Sequence, residues 1–202
     1  MTIRIMIAED QAMVRQALVA LLGLEPDIEV VAQAATGDEA VAMIRKHRPD
    51  VAVLDIEMPG GTGIEVARQL HEDGFAGQVV IVTTFGRPGY LRAAMAAGAS
   101  GFLLKDSPAA ELAAAIRRVA KGERVGDPAL AAAALAEGDS PLTSRETDVL
   151  AAAAGHDAIS EIAAGLHLSP GTVRNHLSAA MHKLGARNRA EAVQIAQRKG
   201  WL

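Results

Sequence analysis

Along the first 120 residues, short continuous apolar runs alternate with longer segments whose apolar positions recur at helical spacing. The apolar runs are Ile3–Ala8, Ile28–Ala34, Val51–Leu54, Val79–Val82 and Phe102–Leu104. The segments that follow them are Met13–Leu22, Asp38–Lys46, Ile64–Glu72, Tyr90–Ala97 and Pro108–Ala120. A strand with one wet face alternates apolar and polar positions. Unbroken apolar runs instead predict strands covered on both faces, as in a parallel sheet. Five strands alternating with five helices predict a doubly wound α/β domain with a five-stranded parallel sheet over residues 1–120. Ser107-Pro108 reads as the start of the last of these helices, a hydroxyl cap ahead of a proline.

The pattern changes after residue 120. Residues 121–140 mix Gly, Pro and Asp with the Ala-rich run Ala129–Ala136, and read as a linker with room for one short helix. Thr143 and Glu146 then form a capping-box pattern, in which each side chain satisfies a free amide at a helix start. Breaks at Gly155-His156-Asp157, Leu168-Ser169-Pro170 and Gly185–Asn188 divide the remainder into four short helices. Residues 141–202 are therefore expected to form a small all-α domain.

Composition narrows the class. A chain of 202 residues suits one medium and one small domain. It is 50% hydrophobic but only 2% aromatic, so the cores must be built from Ala, Val, Leu and Ile. No apolar run approaches the roughly 18 residues of a membrane span, and Met1–Asp10 does not have the pattern of a secretory signal. A cytoplasmic protein with no membrane partner is expected. The absence of cysteine excludes disulfides and thiolate metal sites. Charge is uneven: residues 1–140 hold 13 Lys+Arg against 19 Asp+Glu, whereas residues 141–202 hold 7 against 5. Six basic residues and one acid lie between Gly171 and Lys199. A basic tail behind an acidic body fits a polyanion partner, and it fits a solvated helix face about as well.

The candidate chemistry gathers at strand ends. Glu9 and Asp10 follow the first strand, Asp55 the third, Thr83 closes the fourth and Lys105 follows the fifth. In a parallel sheet these five side chains converge on one edge. Three clustered carboxylates repel one another unless a cation sits among them. An all-oxygen set suits Mg²⁺. A carboxylate in such a site can attack a phosphoryl donor to give an aspartyl phosphate, whose oxygens a lysine and a hydroxyl can bind. A single Asp at a strand end is more often a turn or cap residue; the combination is what carries the reading.

The runs Ile7-Ala8-Glu9-Asp10, Asp55-Ile56-Glu57-Met58-Pro59-Gly60 with Gly63, and Gly98 through Asp106 resemble the receiver domains of two-component response regulators, over essentially all of residues 1–120. The resemblance implies a flavodoxin-like fold with Asp55 as phosphoacceptor. It implies Mg²⁺ held by Glu9, Asp10, Asp55 and the main-chain carbonyl of Glu57, and phosphoryl contacts from Thr83 and Lys105. It places Phe102 at an aromatic switch position that moves inward as Thr83 is drawn to the phosphate, with Pro59 and Gly63 shaping the loop after the acceptor. Glu57 and Phe85 stand where receivers control access of water to the phosphoryl group. A bulky Phe85 leads to the expectation of a long-lived phosphoryl state.

In the C-terminal part, Glu161–Leu177 reads as helix, turn, helix, with Ser169 as cap and Pro170 in the first helical turn. Val173, Leu177, Met181 and Leu184 recur on one face, which must meet a core. Arg174, Asn175, Ser178 and His182 fall on the other, the composition of a helix that reads base edges. Thr172, Lys183, Arg187 and Arg189 could bind phosphate oxygens. A generic helical bundle with a polar face shares this pattern. His176 sits beside Val173 and Ala180 and reads as a packed histidine.

The segments Leu142–Glu146, Glu161-Ile162-Ala163, Leu168-Ser169, Thr172-Val173, His176, Lys183-Leu184 and Arg189–Val193 resemble the LuxR-type DNA-binding domain of NarL/FixJ regulators. Ser160 stands where that family commonly has lysine, and Ile159 replaces a usual polar residue, so one phosphate contact is missing. A closer likeness to one subgroup, carried by Thr83–Tyr90, Lys105–Pro108, Gly171–Asn175 and Gly200-Trp201, makes the first and fifth helices the expected dimer face.

The resemblance as a whole implies a transcription regulator rather than an enzyme. A sensor histidine kinase phosphorylates Asp55, a homodimer forms, and paired helix-turn-helix domains bind half-sites in double-stranded promoter DNA. Two rivals remain at this point. A haloacid-dehalogenase-type phosphatase would carry a second Asp where Glu57 stands. A constitutive DNA binder would need no complete acidic set.

Overall fold

The computed structural model describes residues 2–84, 86–136, 140–155 and 158–202. The chain divides into two compact units, one holding Met1–Gly86 and Leu91–Ala131, the other Ala132–Leu202 with the short segment Arg87–Tyr90.

The first unit alternates β1 (Ile3–Ala8), α1 (Ala12–Leu22), β2 (Ile28–Ala34), α2 (Gly37–His47), β3 (Val51–Asp55), α3 (Gly63–Glu72), β4 (Gln78–Thr83), α4 (Pro88–Ala96, in this unit from Leu91), β5 (Gly101–Leu104) and α5 (Ala109–Ala120). The strands form one parallel sheet in the order β2-β1-β3-β4-β5. The unbroken apolar runs have the predicted cause: every residue of β3, and all of β4 except Gln78, is buried. Alternation then sorts the side chains between two faces. Ile5, Ile7, Val51, Val53, Val80 and Val82 form one core with Leu22 of α1 and Leu112, Ile116 and Val119 of α5. Helices α2 and α3 pack on each other, α2 also against β1 and β2, and α3 against β4. Aliphatic side chains fill this interior, with Phe102 the largest fully buried residue. Each such burial contributes about 1.5–3 kcal/mol.

Helix α2 is capped by Thr36 and α3 by Thr62, the latter in a complete capping box with Glu65. Helix α5 departs from expectation. Pro108 itself occupies the capping position at φ −55°, ψ 142°, so Ser107 is not the cap and the helix begins at Ala109. Proline disfavours the helical region for the residue before it, which keeps Ser107 outside the helix. Its N–H instead closes a turn onto Leu104.

The segment expected as a linker is partly tied to the sheet. Val125 pairs in parallel with Gly101, accepting from the Phe102 N–H and donating to Ser100, both at 2.9 Å. It covers the outer edge of β5, where unpaired backbone groups would otherwise invite another strand. Helix α6 (Pro128–Ala136) follows, its first turn capped by Asp127 through Ala129 and Leu130.

The second unit contains α7 (Ser144–Ala154), α8 (Ile159–Gly165), α9 (Pro170–Leu184) and α10 (Arg189–Arg198). Thr143 and Glu146 make the predicted capping box, and Ser169 caps α9 with Pro170 in its first turn. Of the predicted break at Gly155-His156-Asp157, the last two residues lie outside the described ones. Val149, Leu150, Ile162, Val173, Leu177, Val193 and neighbouring alanines form the core, with Met181, Leu184, Ile159 and Trp201 packed against it. Among the described residues, no helix is long and apolar enough to cross a membrane.

Gly63 shows how tightly the loop after Asp55 is built. A Cβ there would collide with the Asp55 carbonyl oxygen, and the Gly63 N–H donates to Ile56. Gly63→Ala is expected to destabilise the first unit by about 1–3 kcal/mol. The check is its urea midpoint against wild type; an unchanged midpoint would show that the loop yields without strain.

Candidate functional site

The strand order reverses direction of growth between β1 and β3, and the crevice this leaves lies beyond their carboxyl ends. Glu9 and Asp55 sit there almost wholly buried, at 1% and 5% exposure, while Asp10 is exposed. One carboxylate oxygen from each lies within 4.8 Å of the others. Lys105, brought in by β5, reaches both buried acids: its Nζ is 2.6 Å from Glu9 Oε2 and 2.8 Å from Asp55 Oδ2. The contact to Glu9 is ionic, without hydrogen-bond geometry at that oxygen. The Lys105 N–H donates to the Thr83 carbonyl, which fixes the end of β5 against the end of β4. Thr83 is buried at the last position of β4, and Phe102 points inward at 1% exposure. Glu57 is exposed beside Asp55, between buried Ile56 and Met58. Phe85 lies outside the described residues.

The sheet thus brings Glu9, Asp10, Asp55 and Lys105 together and sets Thr83 at the same edge. Burial, reinforced by the nearby Asp55 charge, raises the Glu9 carboxyl above its ordinary range, against the opposing pull of Lys105. For Lys105, burial works to lower the ammonium pKa; the close contacts and charges of Asp55 and Glu9 outweigh it and hold the proton above the ordinary lysine range. One ammonium therefore faces three carboxylates. The excess negative charge and an all-oxygen donor set fit a hard divalent cation of the Mg²⁺ kind.

The second unit presents α9. Arg174, Asn175, Ser178 and His182 are exposed along it, and His176 is half-buried at its edge. Thr172 is half-buried, its hydroxyl 2.8 Å from that of Ser169. Two of the expected phosphate ligands are engaged within the fold. Lys183 Nζ lies 2.6 Å from Glu146 Oε2, and Glu146, only 5% exposed, also accepts the Thr143 N–H at 2.7 Å. Arg187 pairs with Glu191 through both Nε and Nη2. Arg189 is half-buried and Ser160 exposed. The Arg187–Glu191 spacing of four on the approach to α10 was visible in the sequence; the Glu146–Lys183 pair, 37 residues apart, was not.

A receiver-like sheet with an acidic pocket, followed by a helix-turn-helix unit, defines a two-domain regulator. Comparison with known proteins agrees. Residues 5–117 match the response regulator receiver domain, and residues 140–196 match the luxR family of bacterial regulatory proteins. The chain belongs to the NarL/FixJ family of response regulators. It is 48% identical over 200 residues to the transcriptional regulatory protein DesR of Bacillus subtilis (strain 168), covering 99% of each chain. It is 40% identical over 201 residues to the response regulator RamR of Streptomyces coelicolor (strain ATCC BAA-471 / A3(2) / M145), covering 98% of each. Among solved structures it resembles the response regulator ChrA of a heme-sensing two-component system, at 35% identity and a TM-score of 0.58, over 100% of this chain and 99% of that one. The chain is a two-component transcription regulator and not an enzyme, which removes the phosphatase reading.

Glu146 yields a pH test. Lys183, first, and the Thr143 amide hold its carboxyl below the ordinary glutamate range, against burial. A carboxyl depressed in the folded state contributes stability above its unfolded pKa and loses it as pH falls through the folded value. At pH 7, Glu146→Gln is expected to lower the stability of the second unit by about 1–3 kcal/mol. The gap to wild type should close as pH drops below about 4.5. Urea unfolding across pH 7 to 3 measures it; a gap independent of pH would mean that the ion pair contributes nothing.

Proposed function

We propose that the chain is switched by phosphorylation of Asp55 and then binds promoter DNA as a dimer. The observation that carries this is the Glu9–Asp10–Asp55 cluster with Lys105 bridging its two buried members. Residues 1–120 form the receiver, 121–140 the linker and 141–202 the DNA-binding domain.

Glu9, Asp10 and Asp55 would hold Mg²⁺, with the Glu57 main-chain carbonyl. When bound, the ion neutralises charge on the pocket and on the incoming phosphoryl group. An Asp55 carboxylate oxygen attacks phosphorus of the sensor kinase's phosphohistidine; the O–P bond forms as the P–N bond breaks and the imidazole leaves. Lys105 then turns its ammonium to the phosphoryl oxygens, and the Thr83 hydroxyl donates to another. The new charge biases the β4–β5 region, including Phe102, toward the active conformation. Phosphoryl lifetime depends in this reading on residues 57 and 85, the positions that in receivers control access of water to the phosphoryl group.

Helices α1 and α5 supply the dimer face. Met13 is 83% exposed, Leu21 45% and, just past the end of α1, Leu24 79%. Met13, Ala17 and Leu21 follow one another at four-residue spacing along one side of α1. An exposed apolar stripe of this kind marks an interaction site, and Arg117 of α5, paired to Glu25 and Asp27, gives it a fixed polar border. Pairing two DNA-binding domains matches half-sites about one helical turn apart and multiplies affinity. Arg174, Asn175, Ser178 and His182 read bases; Thr172 and Arg189 position the backbone, with Lys183 and, more weakly, Arg187 held back by their acids.

Acetyl phosphate with Mg²⁺ is expected to add one phosphoryl group to wild type and none to Asp55→Ala, by intact mass. A dimer should appear only with Asp55 present, and Leu21→Glu should abolish the dimer while leaving the adduct. An unchanged oligomer and no adduct would favour a constitutive DNA binder. Salt dependence tests the DNA face. Each phosphate contact made by a cation contributes about −0.9 to the log–log slope of affinity on salt, so Lys183→Gln is expected to leave the slope unchanged; a slope shallower by about 2 in the dimer would show that Lys183 leaves Glu146 for phosphate.

A further inference from the structure

We propose that Arg15 is a positioning residue of the acidic pocket: it grips the main chain of Glu9 and Asp10 so that their carboxylates face a divalent cation. This rests on the reading of the pocket as a Mg²⁺ site. Arg15 lies in the second turn of α1, half-buried, and its side chain turns back toward the strand it follows. Its Nη1 donates to the Glu9 carbonyl at 2.5 Å and lies 3.4 Å from the Asp10 carbonyl.

Three features make this grip more than incidental. First, α1 lacks the clamp that α2 and α3 have at their starts: its capping residue, Gln11, makes no side-chain cap and its first turn carries no acid. The turn from β1 into α1 therefore takes its fixation from elsewhere. Second, a cation near a helix N-terminus opposes the helix dipole, so Arg15 is not placed there for the benefit of α1. Third, every other polar group of Glu9 is already assigned. Its N–H donates to Ala34, its Oε1 accepts from Gln11 at 3.2 Å, and its Oε2 faces Lys105. The carbonyl taken by Arg15 fixes the main chain from which the Glu9 carboxylate projects.

Charge and positioning predict opposite signs. As a positive charge near the acids, Arg15 opposes cation binding, so its removal should tighten Mg²⁺. As the restraint on the acid pair, it favours binding, so its removal should weaken Mg²⁺. Supporting groups behind metal ligands typically contribute 10–100-fold in affinity.

The experiment is isothermal titration of the full chain with MgCl₂, without any phosphoryl donor. Wild type is compared with Arg15→Leu, Arg15→Gln and Arg15→Lys, each checked for folding by circular dichroism. Arg15→Leu should bind about 10–100-fold more weakly, with Arg15→Lys recovering part of the loss by restoring a donor. Should Arg15→Leu not fold, Arg15→Gln carries the same sign test, since it too removes the charge. Affinity that is equal or tighter in the uncharged variants overturns the role of Arg15 and leaves the metal site standing. Failure of wild type itself to take up Mg²⁺ overturns both.

Discussion

The first unit is organised around an unbalanced charge. Two carboxylates are buried at the end of a parallel sheet, a third stands beside them, and one ammonium pairs with the two buried ones. Such an arrangement is costly in isolation, because burial penalises each charge and like charges penalise one another. It persists because the surrounding sheet is over-determined. The strands are buried on both faces, the β3–α3 turn admits no side chain at Gly63, and the Lys105 N–H is pinned to the Thr83 carbonyl. Aliphatic packing thus holds in place a polar cluster that would not assemble on its own. That stored imbalance is what a divalent cation would relieve, and only with such a cation in place would the pocket suit an incoming phosphoryl group, as proposed above.

Much of this was legible in the sequence, for a definable reason. A parallel sheet buried on both faces writes itself as unbroken apolar runs, and five such runs alternating with helical segments leave few alternatives. Once the strands are placed, topology alone sends Glu9, Asp55, Thr83 and Lys105 to one edge. The missing information is of another kind. Lys105 could be assigned to the pocket, but not to a bridge between Glu9 and Asp55 specifically, since that depends on side-chain reach. The Arg15 contacts run backwards from a helix to the loop before it, and no periodicity announces them. At Ser107-Pro108 a valid local rule pointed one residue too early, because the restriction that proline places on its predecessor competes with the preference for a hydroxyl cap. Val125 was hidden for the reason that a single bridging residue has no pattern.

In the second unit the same division holds, and it bears on how charge should be counted. Helix starts at Thr143 and Ser169 follow from local chemistry and were readable. The basic excess of the tail was equally readable, yet a formal charge is not an available one. Glu146 caps α7 through the Thr143 amide and, from the same oxygen, binds Lys183 of α9. One carboxylate therefore fixes a helix start and ties two helices of the unit together. The consequence is a lysine whose charge belongs to the fold. Arg187 also pairs with Glu191, but locally at the surface, where the arginine is 87% exposed and the pair holds it only weakly.

What remains along α9 is a short, mostly neutral set: Arg174, Asn175, Ser178 and His182. Neutral amide and hydroxyl groups can hydrogen-bond phosphate or base edges, but they release no counterions and so add little to the electrostatic part of binding. A surface with few free cations has weak non-specific affinity, because that affinity is almost wholly electrostatic. In the proposed dimer, a second copy would supply the affinity that a single such unit lacks. The receiver pocket and the internal ion pairs of the DNA-binding unit work in the same direction. In the proposed switch, the first would supply the charge-driven trigger and the exposed apolar stripe of α1 the pairing face, while the second would limit the unpaired form's hold on arbitrary DNA.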